Sequence, residues 1–226
     1  MKLLREQDFI HRFVDEIAVG LTSMFRNPVL WTSLRDDVLE TMRHKQQISV
    51  WHAGCSTGEE VHTMSIVLKE SGLLSKARLT ATDISTTALA AAKVGEYHIL
   101  KIDKYKDNYF QYNAKGRLEE YYQPTKEGIQ MNDELSQHVD FKAHNLVTSA
   151  PPGKFDIIFC RNVMIYFDQP TKARLLDQFS EHLNEGGYLI TGFFDALIPL
   201  IDKKKYRIAN IGAKVFQKMD EQVAVG

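Results

Sequence analysis

Residues 51–60 of the chain have the sequence WHAGCSTGEE, and this stretch decides the fold. An apolar run at 48–51 precedes it, and Val61, Met64 and Leu68 follow at the spacing of one helix face. The pattern predicts a strand, a tight glycine-containing turn and the start of a helix. Such a turn presents backbone N–H groups and the positive end of a helix dipole. In open α/β sheets, nucleotide-like ligands bind at this place.

The rest of the chain alternates between strand and helix patterns around this turn. Further strands are predicted at residues 77–81, 139–141, 157–160 and 188–194, and helices at 60–70, 88–93 and 169–183. Residues 206–209 and 214–218 are typical of a terminal hairpin. This alternation predicts an α/β fold with a doubly wound, mostly parallel sheet, to which the hairpin adds an antiparallel edge.

The region between Gly95 and Val139 interrupts the alternation. It contains a helix-like piece at 104–112 and two short strand patterns around Thr125-Lys126-Glu127-Gly128, which is typical of a hairpin turn. A connector of this length predicts a small antiparallel β insertion at about 114–138, over the ligand edge of the sheet.

The chain before the first strand is predicted to be helical. Residues 3–19 and 28–44 have the spacing of two amphipathic helices, joined by a connector at 21–28. We therefore expect residues 1–46 to form N-terminal helices with a connector, and residues 47–226 to form the main ligand-binding domain.

Composition excludes several classes of function. The 226 residues are 44% hydrophobic and 25% charged, with a net charge of −1, so no overall field favours nucleic acid. No apolar run approaches the ~18 residues of a membrane span, and no membrane insertion is expected. The histidines lack metal-ligand spacing, so no metal site is expected. Cys55 and Cys160 form no disulfide framework, which favours a reducing cytoplasm, and Cys55 is interpreted as a small packing residue of the turn.

Acidic residues near the turn indicate what the ligand is. Asp83 ends the second predicted strand, where an acid can accept both hydroxyls of a ribose, although it could also be a helix N-cap or a solvated loop acid. Glu59 and Glu60 would repel a pyrophosphate and suit a cationic ligand. S-adenosylmethionine (SAM) carries an adenosine, an amino group and a sulfonium, and no phosphate. Glu59 lies closer to the turn and is expected to face the ligand amino group, whereas Glu60 is expected only to favour the helix dipole.

A second candidate stretch, FCRNVMIYF, lies at residues 159–167. Its apolar strand runs into Arg161-Asn162, and polar side chains at the carboxyl end of a strand are candidate site residues. Tyr166 follows, with packing in the core as an equally weighted alternative. Thr22 and Arg26 lie in the N-terminal connector, where a lone arginine is usually a solvated charge or an ion-pair partner.

The assembled pattern resembles the CheR-type family of chemotaxis-receptor glutamate methyltransferases. The matching motifs, in family order, are Thr22-x-x-Phe25-Arg26, WHAGCSTGEE at 51–60, ATDI at 81–84, Asn145-Leu146, FDIIFCRNVMIYFD at 155–168 and GGYL at 186–189. They extend from about residue 20 to the C-terminus, and the CRNVMIYF run is highly specific.

This resemblance implies a Rossmann-like class I SAM methyltransferase fold with a sheet of the seven-stranded type. It implies transfer of a methyl group from SAM to glutamates of chemoreceptor cytoplasmic helices, which gives methyl esters and S-adenosylhomocysteine. The partners implied are chemoreceptors in the cytoplasm. The β insertion occupies the place of the family's small β-subdomain, which in some members docks a receptor tail peptide.

The resemblance also implies roles for matching residues. Glu59 would hold the methionine end of SAM, and Asp83 the ribose. Asn145 and Leu146 would frame the adenine. Arg161 and Asn162 would lie beside the methionine moiety. Thr22 and Arg26 would reach over the cofactor, and the residues closest to the transferred methyl would be Arg26 and Tyr166.

The chain departs from the family pattern in four places. Only about twenty residues precede Thr22, where the family usually carries an additional helical domain. The other departures are Gly20 for asparagine, Val61-His62-Thr63 for Pro-Tyr-Ser and Gly192-Phe193-Phe194-Asp195 for Gly-His-Ser-Glu. Alternatives are therefore a SAM-binding or S-adenosylhomocysteine-binding regulatory module without activity, a methyltransferase for a non-receptor protein, and a small-molecule methyltransferase. A nicotinamide dehydrogenase is disfavoured by the glycine pattern.

Overall fold

A computed structural model describes residues 22–219 of the chain. The helix expected at 3–19 and Gly20 lie outside the described residues. The strands of the described part are β1 Ile48–Ala53, β2 Ala77–Asp83, β3 Glu96–His98, β4 Tyr122–Pro124, β5 Gly128–Met131, β6 Val139–Ala143, β7 Phe155–Cys160, β8 Leu183–Thr191, β9 Tyr206–Asn210 and β10 Val215–Lys218.

The main sheet has seven strands in the order β6-β2-β1-β7-β8-β10-β9. The pairs of β1 with β2 and β7, of β2 with β6 and of β7 with β8 are parallel. The pairs of β10 with β8 and β9 are antiparallel. The predicted doubly wound sheet with an antiparallel terminal hairpin is thus confirmed. β1 lies inside the sheet, between β2 and β7, and a strand covered on both faces requires the apolar run seen there.

The helices of the described part are α1 Pro28–Ser33, α2 Glu59–Glu70, α3 Thr86–Val94, α4 Ile102–Tyr112 and α5 Gln169–His182. Local residues set their ends. The Ser85 side chain accepts a hydrogen bond from the N–H of Ala88 at 3.0 Å and so caps α3. Gly95 ends the same helix in the left-handed conformation, at φ +69°. The Asp168 carboxylate caps α5 by accepting from the N–H of Thr171 at 3.0 Å.

Two predicted elements differ from the structure. The helix expected to continue to residue 44 is α1 followed by a π-helical turn, Leu34–Val38, and a 3₁₀ turn, Leu39–Met42. The apolar spacing is retained through these turns, so the sequence pattern does not reveal the change in helix type. The last parallel strand, β8, includes the Gly186-Gly187 region expected as a turn, with a register shift against β7, and ends before Phe194.

The interrupting region forms a second, antiparallel sheet in the order β3-β5-β4. The expected hairpin corresponds to β4 and β5. The third strand, β3, lies outside the predicted limits of 114–138, so the insertion begins earlier than expected. Three residues directly after Gly95 are too few to show a period-2 pattern.

Side chains cover the main sheet on both faces. One face packs α1, α2 and the small sheet around residues such as Leu30, Val67 and Tyr105, all at most 1% exposed. The other packs α5 and the terminal hairpin, where Trp51 contacts Phe179 at 5.6 Å between ring centroids. No helix of residues 22–219 is long and apolar enough to cross a membrane.

Gly58 is the position where the turn and the core constrain each other most directly. Its φ is +89°, and a Cβ there would lie 2.9 Å from the Ala92 Cα in α3. We expect Gly58→Ala to cost about 2–4 kcal/mol of unfolding free energy, from backbone strain plus overpacking. Gly72, at φ +71° with no atom within 4 Å of such a Cβ, is the control, and Gly72→Ala should cost only about 1 kcal/mol. Urea unfolding measures both, and equal losses would contradict the packing argument.

Candidate active site at the carboxyl edge of the sheet

The turn after β1 is fastened to the end of β2. The N–H groups of Gly54 and Cys55 both donate to the Thr82 carbonyl, at 2.8 and 2.9 Å. The N–H of Ser56 donates to the Asp83 carboxylate at 2.8 Å. The structure therefore brings Asp83 beside the glycine turn, and its alternative role as the cap of α3 is wrong because Ser85 occupies that position.

Asn145 and Leu146 lie at the same edge, directly after β6. The N–H of His144 donates to the Asp83 carbonyl at 2.9 Å, which places this segment next to the end of β2. The Asn145 side chain accepts from the N–H of Val147 at 2.9 Å and so shapes the loop. Leu146 is 9% exposed and belongs to the apolar cluster that includes Trp51 and Met164.

Glu59, which the sequence predicts to hold the methionine end of the cofactor, has its carboxylate bonded to side chains of the protein. It is fully buried. One carboxylate oxygen accepts from Lys101 Nζ at 2.9 Å and from the Tyr105 hydroxyl at 3.0 Å. The other accepts from the Thr57 hydroxyl at 2.6 Å. Glu59 therefore joins the turn to the segment between β3 and β4, through bonds from protein donors to both of its carboxylate oxygens.

Glu60 does more than favour the helix dipole. Its carboxylate accepts from His52 Nδ1 and from Arg161 Nη1, each at 2.9 Å, while its side chain stays 18% exposed. Burial acts to raise the pKa of Glu60, but the hydrogen bond from His52 and the charge of Arg161 outweigh it and lower that pKa. The ionised, partly accessible glutamate near Arg161 is therefore Glu60. Successive helix residues point about 100° apart, which lets Glu59 and Glu60 bond to different segments of the protein.

Arg161 connects this glutamate to the N-terminal connector. Its side chain is 3% exposed. Its Nη2 donates to the Arg26 carbonyl at 3.2 Å and to Asn27 Oδ1 at 2.8 Å. The guanidinium also lies over the Trp31 ring, 5.8 Å from its centroid. Arg161 thus fixes the connector above the end of β7.

The connector is held in a strained conformation. Phe25 and Asn27, on either side of Arg26, have φ of +50° and +60°. The N–H of Phe25 donates to the Thr63 hydroxyl at 3.0 Å, and Trp31 Nε1 donates to the Arg26 carbonyl at 3.1 Å. Left-handed non-glycine residues are costly and persist where the surroundings impose them, which is common at functional sites. Thr22, partly buried, is the first described residue of this segment.

The Arg26 side chain is half-buried among charged groups. Burial, and then the positive charge of Arg161, lower the pKa of Arg26, while Glu60, Asp195 and Tyr166 oppose that change. Arg26 and Tyr166 are therefore close enough to interact electrostatically. Tyr166 is 54% exposed, so the alternative that it packs in the core is wrong.

Asp195 is a residue of this edge that sequence reasoning missed. It is fully buried, and its Oδ2 accepts from the N–H of Asn162 at 3.1 Å and of Gly192 at 2.6 Å. These bonds hold Asn162 at φ +60°. Burial raises the pKa of Asp195. In the sequence, the GFFD run at 192–195 is visible only as a departure from the family pattern. No local pattern indicates that Asp195 lies beside Asn162, which is 33 residues away in the chain.

The arrangement accommodates SAM better than the alternatives considered. Acidic side chains, Asp83 and Glu60, lie at the turn where a pyrophosphate would otherwise bind. The described residues contain no group of three or more His, Cys, Asp or Glu that could hold a metal ion. Burial, and then the charge of Asp83, raise the pKa of Cys55 well above its usual range, so the thiol stays protonated and is no nucleophile.

Comparison with known proteins agrees with this chemistry. The model of the CheR methyltransferase family, SAM binding domain, matches residues 20–212. The chain belongs to the CheR methyltransferase family. It is a SAM-dependent methyltransferase by family, and its cofactor is SAM, with S-adenosylhomocysteine as product.

Three curated relatives are 34% identical to the chain. The putative methyltransferase Cher3 of Pseudomonas putida aligns over 191 residues, 84% of this chain and 70% of its own length. A chemotaxis protein methyltransferase of Vibrio parahaemolyticus aligns over 84% of this chain and 70% of its own length. Chemotaxis protein methyltransferase 1 of Vibrio cholerae aligns over 88% of this chain and 73% of its own length. The resemblance inferred from the motifs is thereby confirmed.

The two adjacent glutamates can be separated by experiment. We expect Glu60→Gln to raise the dissociation constant of SAM by about tenfold, because a charge-assisted hydrogen bond contributes roughly 1.5–3 kcal/mol. Glu59→Gln should instead lower the unfolding free energy by about 1–3 kcal/mol, since it weakens the buried contacts to Lys101 and Tyr105. Calorimetric titration of the folded variants with SAM and urea unfolding measure the two effects. A larger loss of SAM affinity in Glu59→Gln would restore the original assignment.

His62 predicts a pH dependence of stability. It is 2% exposed beneath the turn, with Nδ1 3.0 Å from the Gly58 carbonyl and 3.0 Å from the Tyr97 hydroxyl, and burial lowers its pKa to about 4. Above pH ~6.5 both folded and unfolded His62 are neutral, so it has no effect. Between pH ~6.5 and about 4 only the unfolded state gains the proton. The free energy of unfolding therefore falls by up to about 3 kcal/mol as the pH is lowered through this range.

The measurement is the unfolding free energy at a series of pH values from 7 to 4. His62→Gln should show a shallower decline than the wild type, whereas His44→Gln, at an exposed position, should not. An unchanged slope in His62→Gln would show that His62 titrates normally in the folded protein.

Proposed function

We propose that this chain transfers the methyl group of SAM to glutamate side chains of chemoreceptor cytoplasmic helices and forms methyl esters. The observation that carries the proposal is the position of Arg26. Its half-buried guanidinium is held by a strained connector, next to the partly exposed Tyr166, above the turn that belongs to the SAM-binding domain. A cation there can receive a carboxylate from outside. The names of the relatives from Vibrio support the receptor as acceptor.

The proposed cofactor contacts follow the edge of the sheet. Asp83 accepts the ribose hydroxyls, and Asn145 and Leu146 frame the adenine. Glu60, in place of Glu59, faces the amino group at the methionine end. The remaining proposed contacts are Thr22, Arg26, Arg161 and Asn162, of which Arg161 acts mainly by fixing the connector.

The chemistry requires orientation more than acid–base catalysis. When bound, SAM supplies a methyl group activated by a positive sulfur. A glutamate carboxylate is ionised at pH 7 and is itself the nucleophile, so no general base is needed. Arg26 positions one oxygen of the acceptor, and Tyr166 orients the same carboxylate or the reacting methyl. Holding the reactants in line and excluding water supply most of the rate increase.

The domain limits predicted from the sequence suggest a division of roles. We propose that the connector within residues 1–46 covers the cofactor and that residues 47–226 form the methyltransferase domain, active in the cytoplasm. The small sheet supplies a second receptor contact. A cavity of about 410 Å³ lies between α3 and β3, lined by residues that include Val94, Tyr97 and Glu127. A receptor tail peptide is the proposed occupant of this cavity.

Labelled methyl transfer tests the proposal. The protein is incubated with SAM carrying a radioactive methyl group and with cytoplasmic fragments of receptors from the same cell. We expect base-labile label on glutamates of the fragment. SAM binding without label on any receptor fragment would contradict the proposal and favour the regulatory module.

Two variants test the assigned roles. We expect Arg26→Ala to lower kcat by about 10²–10³-fold and Tyr166→Phe by about tenfold, because each removes a contact that orients the acceptor. The dissociation constant of SAM should change much less in both variants. Steady-state kinetics and calorimetry measure the two quantities, and equal losses in turnover and SAM affinity would contradict these roles.

A further inference from the structure

Four large apolar side chains are exposed in the two segments that follow β7 and β8, beside the candidate active site. Ile165 and Tyr166 are 41% and 54% exposed, and Phe194 and Ile198 are 75% and 44% exposed. We call these four residues the apolar rim. Exposed apolar residues scattered singly are ordinary, whereas several on neighbouring segments beside a site are typical of an interaction surface.

The rim comes from two loops that the structure holds together. One loop follows β7 and the other follows β8, and these two strands are parallel neighbours. Buried Asp195 joins the two loops. It belongs to the loop that leads from β8 to Ile198, and its carboxylate accepts from the N–H of Asn162 in the other loop at 3.1 Å. The N–H of Gly192, at the start of the second loop, also donates to this carboxylate, at 2.6 Å. The rim is therefore a supported surface and not a set of independent loop tips.

The rim is continuous with the proposed position of methyl transfer. Tyr166 belongs to both. Arg161, at the end of β7, donates to the Arg26 carbonyl at 3.2 Å, and the next residue, Asn162, donates to Asp195 at 3.1 Å. The connector that carries Arg26 and the two loops that carry the rim therefore adjoin, so a protein that presents a carboxylate to Arg26 brings its neighbouring groups near the rim.

Positive charge lies beside the apolar side chains. Arg26 is on the inner side. Lys214 Nζ is 5.9 Å from the ring centroid of Phe193, the residue before Phe194. The surface thus combines apolar contact with cationic margins, which complements a partner that is apolar along one stripe and acidic beside it.

We propose that the apolar rim docks an acidic amphipathic helix of the substrate protein, with Phe194 as the residue that selects it. This inference rests on the proposed function, since the docked helix is the one that carries the acceptor glutamate. In a helix, residues three and four positions from a glutamate lie on the same face, about 5–6 Å away. When the glutamate points toward Arg26, small or apolar residues at those positions meet the rim. A free carboxylic acid or a short flexible peptide cannot make these contacts.

The test compares two exposed phenylalanines. Phe194→Ser removes the most exposed member of the rim, and Phe110→Ser, 64% exposed on α4, is the matched control. Binding of a fluorescently labelled helical receptor fragment is measured by anisotropy in the presence of S-adenosylhomocysteine. We expect Phe194→Ser to raise the dissociation constant of the fragment by about tenfold and Phe110→Ser to leave it unchanged, because aromatic anchors carry most of an interface's affinity. Calorimetric titration should show unchanged cofactor affinity in both variants.

A change in the fragment provides the second arm. Serine at the positions three and four residues from the acceptor glutamate should weaken binding to the wild type by about tenfold. The Phe194→Ser variant should bind the altered and the unaltered fragment equally well. Both changes remove the same contact, so their effects on the dissociation constant should not add. Additive losses would overturn the proposal.

The remaining outcomes are distinct. Equal binding by Phe194→Ser and the wild type overturns the rim proposal even if labelled transfer to the receptor succeeds, and the proposed function then stands alone. No binding of the fragment by the wild type also overturns it. A wild-type dimer in sedimentation that Phe194→Ser dissociates would assign the rim to contact between two copies and likewise overturn the proposal. Loss of binding in Phe194→Ser without any labelled transfer would support docking and refute the methyl transfer.

Discussion

The buried guanidinium of Arg161 is the interaction on which the rest of the site depends. From the end of β7 it contacts Glu60 at the start of α2 and the Arg26 carbonyl and Asn27 side chain of the connector. Removing one partner of a buried ion pair typically costs about 3–5 kcal/mol, because a charge is left uncompensated. The end of β7, the start of α2 and the N-terminal connector are therefore held in one arrangement. The backbone of Arg26 is fixed by these contacts, independently of its own side chain.

Backbone strain is concentrated in the same region. Phe25, Asn27, Ser56 and Asn162 all have positive φ, between +49° and +60°. Each such residue costs of the order of 1–3 kcal/mol unless its neighbours impose the conformation. Arg161 holds Asn27, Asp83 holds the N–H of Ser56, and Asp195 holds that of Asn162. The side chains of Asp83, Asp195 and Arg161 thus hold the loops that carry candidate site residues. These contacts make the irregular backbone of the site rigid.

The two glutamates at the turn show how a fold divides similar residues between different tasks. Glu59 bonds to Lys101 and Tyr105, in the segment between β3 and β4, and to Thr57. Glu60 bonds to Arg161 and His52. The small sheet is consequently coupled to the turn, since Tyr97 also donates to the Thr57 carbonyl at 2.9 Å. The small sheet and the glycine turn are thus joined by a few buried hydrogen bonds.

The sequence by itself determined the parallel sheet, the glycine turn, the family and most of the residues now found at one edge. Apolar periodicity, capping residues and turn glycines act over a few positions, so they are readable in order along the chain. The tertiary structure alone decided that Glu60 bonds Arg161 while Glu59 bonds Lys101. It alone also decided that Tyr166 is exposed, that Asp195 supports Asn162, and that three residues after Gly95 form β3. These outcomes depend on contacts between segments far apart in the chain, and local patterns carry no information on which of two adjacent side chains meets a distant partner.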